Sequence, residues 1–277
     1  MIVSTYQRPE HLRRSLLSLA LQRGVPGRFE VIVADDGSRD ETADAVDRFA
    51  SSVGFPVQFV TQAHHGFHAA RCRNNGAQAS RAPYLIFFDG DCVFPNDHLQ
   101  QHLRARRPGL VRTGDSYRLD RETCERIDDD AIVAAAFVQW VSERERRRMR
   151  RRWYKELFYF WLGHAHKPKL MAGNLGIWRG DFERVNGFDE QFVGWGCEDD
   201  DLGRRLRQVG VRIAPIYGFT QACHLWHPPD ASRPMKWRDG ANVDYLHRAD
   251  KPAYCAIGLS SHAPSETGCP TTFRRAV

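Results

Sequence analysis

The chain has 277 residues, 42% of them apolar and 27% charged, which is enough apolar side chain to pack one large or two merged domains and too much for a disordered chain. The net charge of +6 is modest, no run approaches the roughly eighteen apolar residues of a membrane span, and Met1-Ile2-Val3-Ser4-Thr5 reads as a strand rather than a signal sequence. Seven cysteines, an odd number without a Cys-x-x-Cys pair, exclude a closed disulfide framework and fit a reducing compartment.

In chain order, residues 1–4 read as a strand and 8–22 as a helix that Gly24 ends. Residues 29–34 form a second strand delivering Asp35-Asp36-Gly37-Ser38, followed by a helix at 40–51 that Asp40 or Ser38 is available to cap. A third strand is predicted at 57–61, a helix carrying Arg71 and Asn74 at 66–80, and a nearly all-apolar strand at 84–88 ending in Asp89-Gly90-Asp91. This alternation predicts an α/β fold, a Rossmann-like and mostly parallel sheet flanked by crossover helices.

From about Arg104 the regularity fades, and 106–170 is expected to be a helical insertion, basic in its middle and aromatic afterwards, with one or two helices over 128–161. A strand at 170–178, a helix at 179–185 and a turn at Asn186-Gly187 follow. Gly194-Trp195-Gly196-Cys197 then leads into Glu198-Asp199-Asp200-Asp201, which opens a helix reaching Gly210, and 211–216 is a further strand. Beyond His227-Pro228-Pro229, residues 231–277 are polar and rich in Pro, Ser and Thr, so an irregular tail is expected.

Open α/β sheets bind ligands beyond the carboxyl ends of their strands, and two acidic clusters fall there. Asp89-Gly90-Asp91 presents two carboxylates around a flexible glycine, as a hard cation such as Mn²⁺ or Mg²⁺ bridging a diphosphate requires. Asp35 and Asp36 can accept hydrogen bonds from a nucleobase or ribose, or one of them can cap the next helix. The run of carboxylates from Glu198 to Asp201 repels itself, a cost tolerated where a proton acceptor or cation is needed and partly offset at a helix amino terminus. Trp195 between two glycines is a plate for the apolar face of a sugar ring. His224 and His227 either complete a cation shell begun by Asp91 or are structural, and Cys223 beside them lacks the other thiols of a zinc site.

The order Val3-Ser4-Thr5-Tyr6-Gln7-Arg8-Pro9, Asp35-Asp36-Gly37-Ser38 and Asp89-Gly90-Asp91 resembles the family 2 inverting glycosyltransferases of GT-A fold. The stretch from Ala172-Gly173-Asn174 through Asn186-Gly187-Phe188-Asp189 to Trp195-Gly196-Cys197-Glu198-Asp199-Asp200-Asp201 resembles the carboxyl half of β-1,4-galactosyltransferases and chondroitin-type polymerases. The two together span roughly residues 1 to 230. The resemblance implies a donor-binding half at 1–105 merged with an acceptor-binding, catalytic half at 171–230. It further implies metal-dependent, inverting transfer of a hexose or N-acetylhexosamine from a nucleotide diphosphate sugar, by analogy UDP, to a glycan or lipid-linked acceptor in bacterial surface polysaccharide or lipopolysaccharide synthesis.

Carried over by position, the resemblance places Thr5 and Arg8 in the donor loop, Asp36 in preference to Asp35 at the nucleobase, Arg71 at base or phosphates, and Gly173 on the donor side. Asp89 would meet the ribose or metal, and Asp91 would be the principal metal ligand with His227, or His224, opposite. Asp199 would be the catalytic base, Glu198 and Asp200 acceptor and site-shaping carboxylates, and Trp195 with Gly196 the acceptor platform. Cys197 stands where the galactosyltransferases commonly place glycine. Their luminal stem and anchor are missing, so a cytoplasmic enzyme is expected.

Arginine-rich 144–152 followed by aromatic-rich 153–161 fits either peripheral contact with an anionic membrane, at the inner face of the cytoplasmic membrane, or a solvated basic helix running into a core helix whose aromatics pack on the sheet. A nucleic-acid-binding module would leave the acidic clusters unexplained, so no nucleic acid partner is expected. A sugar nucleotidyltransferase would want a glycine-rich phosphate loop near the amino terminus. Oligomeric state is not encoded in these patterns.

Overall fold

The computed structural model describes residues 1–25, 29–229, 233–240, 242–248 and 250–261. The four apolar runs of the first hundred residues become β1 (Ile2–Thr5), β2 (Val31–Asp35), β3 (Val57–Thr61) and β4 (Tyr84–Asp89), all parallel. Between them cross α1 (Pro9–Ala20), α2 (Thr42–Ser52) and α3 (Ala69–Ala79), as expected. Asp40 rather than Ser38 closes the start of α2, its Oδ1 accepting the N–H and hydroxyl of Thr42 at 3.1 and 2.6 Å.

Onward run β5 (Cys92–Val93), α4 (His98–Ala105), β6 (Leu110–Thr113), β7 (Ser116–Arg118), α5 (Arg121–Glu125), α6 (Asp129–Val133) and α7 (Glu143–Leu162). They are followed by β8 (Asn174–Trp178), α8 (Arg179–Glu183), α9 (Glu198–Gln208), β9 (Arg212–Pro215), β10 (Ala222–His224) and α10 (Asn242–Leu246).

Among the described residues the main sheet has seven strands in the order β3-β2-β1-β4-β8-β6-β9, with β8 antiparallel to both neighbours. A smaller sheet, β5-β10-β7, stands beside it. The pleat sends successive side chains to opposite faces. Ile2, Ile32 and Phe87 therefore join the core beneath α3 and α9, whereas Val3, Val33 and Phe88 join the one beneath α1. Each such burial contributes roughly 1.5–3 kcal/mol. β1 lies between β2 and β4, so the connections leaving β1 and β4 part at the carboxyl edge and open a crevice.

One expectation needs correction. The stretch 106–170 is not purely helical, because Leu110–Thr113 enters the main sheet and Ser116–Arg118 the small one. Such three- and four-residue strands carry too little periodicity to be read alone, and partners a hundred residues away in β9 and β10 fix them. Where it is described the tail carries little regular structure beyond a 3₁₀ turn at Trp237–Asp239 and α10, yet it is anchored: Lys251 pairs with Asp201 at 3.1 Å, Asn186 Nδ2 donates to the Cys255 carbonyl at 2.8 Å, and Leu259 packs on the core. Residues 262–277 of that expected tail lie outside the described residues. No helix among the described residues is long and apolar enough to cross a membrane.

Candidate active site

The crevice is a cavity of about 590 Å³. Thr5, Arg8, Asp36, Asp89, Asp91 and Gly173 line it from the strand ends, and Trp195, Gly196, Glu198, Asp199, Asp200, His224 and His227 from the carboxyl half. Of the residues singled out in the sequence, Asp35 and Arg71 are not in its lining.

Antiparallel pairing of β5 with β10 sets Cys92 opposite His224 and so brings Asp91 against both histidines. Asp91 Oδ2 lies 3.0 Å from His227 Nε2, Oδ1 lies 3.6 Å from His224 Nε2, and Arg8 reaches Oδ2 at 3.3 Å. One donor atom from each of Asp91, His224 and His227 falls within 4.8 Å of the other two. His227 Nδ1 is 2.6 Å from the Pro228 carbonyl, which only accepts, so Nδ1 carries the hydrogen. In the neutral ring Nε2 then turns a lone pair on the Asp91 carboxylate, and two acceptors 3.0 Å apart call for a proton or a cation between them. Burial works to lower the His227 pKa, but the Asp91 hydrogen bond raises it above its ordinary value. Burial would likewise raise the Asp91 carboxyl, yet His227, His224 and Arg8 hold it well below the usual carboxylate range. One carboxylate and two imidazoles in this arrangement are a donor set that fits a borderline divalent cation such as Mn²⁺.

A second cluster is organised by Arg73, which the sequence reading did not single out. Arg73 donates to Asp89 Oδ1 and Glu198 Oε1, each at 3.1 Å, and lies 3.9 Å from Asp199 Oδ1. Two residues along a helix turn the side chain by about 200°, so Arg71 and Arg73 leave α3 in different directions. Arg73 reaches the end of β4 through Asp89, and Arg71 is not in the cavity lining. Asp199 Oδ2 accepts the Ala172 N–H at 2.9 Å, while its Oδ1 is buried and has no hydrogen-bond donor among the described residues. Burial and the charge of Glu198 push the Asp199 carboxyl up to about 8 against the opposing pull of Arg73. Gly173 is required beside them, because a Cβ there would meet Asp89 Oδ2 at 2.3 Å.

The acidic run splits by function. Glu198, Asp199 and Asp200 face the cavity, with Lys169 pairing to Asp200 at 3.0 Å. Asp201 points into the core to Arg205 at 2.6 Å and Lys251 at 3.1 Å. Asp35 and Asp36 also divide. Asp35 is consumed locally by the Gly37 and Ser38 N–H groups and the hydroxyls of Ser38 and Thr61, which removes it from the donor-binding set. Asp36, which accepts from Gln62 Nε2 at 2.5 Å and from the His68 N–H at 2.9 Å, remains at the cavity wall.

Gly194, Gly196 and Cys197 all have positive φ, at 84°, 95° and 77°, the region where glycine is unstrained. That explains the glycine expected in place of Cys197. Asn242 of the tail holds this turn by donating to the Gly196 carbonyl at 2.9 Å. Arg233 sits 5.2 Å over the Trp195 ring, and Trp237 closes the wall with Lys169 at 5.6 Å. Arg233 and Trp237 belong to the stretch expected to be a bare tail, and no local pattern marked them.

The sequence model of glycosyl transferase family 2 matches residues 1–108, and one described as the N-terminal domain of galactosyltransferase matches 155–228. The uncharacterized glycosyltransferase YfnE of Bacillus subtilis is 36% identical over 279 residues, covering 89% of this chain and 69% of YfnE. The chain belongs to glycosyl transferase family 2. Validoxylamine A glucosyltransferase of Streptomyces hygroscopicus subsp. limoneus is 32% identical to this family 2 chain over 225 residues, covering 76% of the chain and 48% of that protein. The chain thus spans about half the length of the validoxylamine A glucosyltransferases it matches. Among solved structures, the mannosyltransferase PcManGT of Pyrobaculum calidifontis, in complex with GDP-Man and Mn²⁺, superposes with a TM-score of 0.55 at 17% identity, over 77% of this chain and 53% of that one. This likeness shows the GT-A fold, as the family 2 motifs led one to expect.

Proposed function

We propose that this family 2 chain transfers a hexose or N-acetylhexosamine from a nucleotide diphosphate sugar, UDP by analogy, to a hydroxyl of a glycan or lipid-linked acceptor, inverting the anomeric carbon. The product would belong to bacterial surface polysaccharide or lipopolysaccharide. One observation carries the reading: the Asp91-His224-His227 cluster and the undonated oxygen of Asp199 open on the same cavity.

Asp199 Oδ1 takes the proton of the acceptor hydroxyl as that oxygen bonds to the anomeric carbon and the bond to the diphosphate oxygen breaks. A carboxyl held near 8 suits this, since a base works best when its pKa lies close to the operating pH. Arg73 keeps Asp199, Glu198 and Asp89 in register, so that base and donor loop stand in fixed relation. Thr5, Arg8 and Asp36 line the donor side, and Trp195 supplies an acceptor platform. Asp91, His224 and His227, with Asp89 nearby, would hold Mn²⁺ or Mg²⁺, which when bound neutralises the charge of the departing diphosphate. The Mn²⁺ that accompanies GDP-Man in PcManGT supports this assignment. The carboxylates that crowd the cavity speak against a nucleic-acid partner.

A thermal-shift panel of UDP- and GDP-sugars, with and without Mn²⁺, tests the proposal. A ligand at a hundred times its Kd adds about 2.7 kcal/mol to stability, so the matching donor should raise Tm by several degrees, and only with the metal. If no sugar nucleotide stabilises the protein with either Mn²⁺ or Mg²⁺, the proposal fails.

A further inference from the structure

We infer that the outer face of α7 docks on an anionic lipid surface. Ser142 starts this helix by accepting the Glu145 N–H at 3.3 Å, and Gly163, with φ at 65°, ends it. One face is committed to the protein. Met149 and Glu156 are buried, Trp153 packs on Gly218, and Phe160 lies under Arg212 at 4.2 Å. Arg148 and Arg152 bond to Asp115, a residue of the cavity wall.

Among the described residues the opposite face has no such partners. Tyr154, Phe158, Trp161 and Leu162 are 58%, 62%, 76% and 65% exposed, contrary to the reading in which these aromatics pack on the sheet. Arg144, Arg147, Arg150, Arg151 and Lys155 are exposed alongside them. At 100° per residue all nine positions fall within about 140° of arc, so they form one continuous stripe. Arg144, Arg150 and Arg151 make no ion pair among the described residues, and Arg147 is balanced by Glu143 at 3.0 Å.

Charge decides the occupant. The stripe is cationic over its first three turns and aromatic over its last two, the distribution that meets acidic headgroups with arginine and the interfacial layer with Tyr and Trp. A second copy of the chain would set like charges against each other. Because the buried face of α7 is bonded to Asp115 and the chain after it supplies Lys169 to the cavity, a docked helix would hold the site beside the bilayer, where a lipid-linked acceptor resides.

Flotation of the whole chain with vesicles tests this without donor or metal, so its outcome does not depend on the transfer proposal. The protein should float with vesicles of equal parts phosphatidylcholine and phosphatidylglycerol at low salt, stay behind with phosphatidylcholine alone, and be released by high salt. Reversing two charges in Arg150→Glu/Arg151→Glu should weaken binding about tenfold or more. Phe158→Ser/Trp161→Ser should weaken it at every salt concentration. Both double variants alter exposed positions, so Tm and the Mn²⁺-dependent response to sugar nucleotides should match the wild type. The inference is overturned if the wild type does not float with the acidic vesicles, if both variants float as the wild type does, or if light scattering shows a dimer that these substitutions dissolve.

Discussion

Replacing Asp199 by asparagine separates base chemistry from folding. The amide keeps the shape of the carboxyl, and its oxygen can still accept the Ala172 N–H that Oδ2 receives at 2.9 Å. What disappears is the undonated Oδ1 as a proton acceptor. General-base assistance contributes about 10²–10⁴ in rate, which at about 1.36 kcal/mol per decade is roughly 3–5 kcal/mol of barrier. Stability should not fall in parallel. Burial and Glu198 raise this carboxyl from an ordinary 3.8 to about 8, so the folded protein binds the proton more tightly than the unfolded chain does. Ionised Asp199 therefore costs stability, a cost that grows as pH climbs from about 4 through about 8, and the neutral amide removes it. Catalysis runs the other way, because the ionised form is the base. With a pKa of about 8, kcat/KM of the wild type should rise roughly tenfold from pH 7 to pH 9, and Asp199→Asn should lack that rise. Nucleoside diphosphate release across this pH range reads the rate, calorimetry the donor affinity, and thermal unfolding the fold. Turnover of the variant within tenfold of the wild type, or donor affinity collapsing together with rate, would refute the reasoning.

Asp91→Asn should abolish the Mn²⁺-dependent part of nucleotide binding while sparing the metal-free part, and His224→Gln and His227→Gln should each weaken Mn²⁺ about tenfold or more in calorimetric titrations. Arg73→Met leaves Asp89, Glu198 and Asp199 without their shared cation; removing one partner of a buried pair costs about 3–5 kcal/mol, visible as a lower urea midpoint. Arg73→Lys should recover only part of that loss, since an ammonium cannot fork between two carboxylates. Gly173→Ala places a methyl 2.3 Å from Asp89 Oδ2 and should weaken donor binding by about 1–3 kcal/mol, measured as Kd with Mn²⁺ present.

The parallel half of this fold was legible because its signals are local. Ile2 and Val3, Ile32 and Val33, Phe87 and Phe88 lie in runs apolar at every step, as strands buried on both faces must be, and such strands end where Asp36 and Asp89 begin. The acidic run after Trp195 was legible for the same reason, since four adjacent carboxylates are too costly to be accidental. Where near neighbours along the chain are candidates for one role, as His224 and His227 are, local pattern does not discriminate between them.

By itself, then, the sequence determined the alternation of strands and helices, the carboxyl-edge placement of Asp36, Asp89 and Asp91, and the family motifs, all of which depend on residues within one element or one turn of each other. Tertiary structure alone decided that Arg73 bridges the two halves of the site, that Asp201 serves the core while Asp199 serves the cavity, that Leu110–Thr113 is a strand, and that Phe158 and Trp161 face outward. The physical reason is that periodicity records which side of an element is buried, whereas the partner of a charge or of a short strand is chosen by packing, from Arg205 and Lys251 for Asp201 to Glu198 for Arg73 and β9 for Leu110–Thr113.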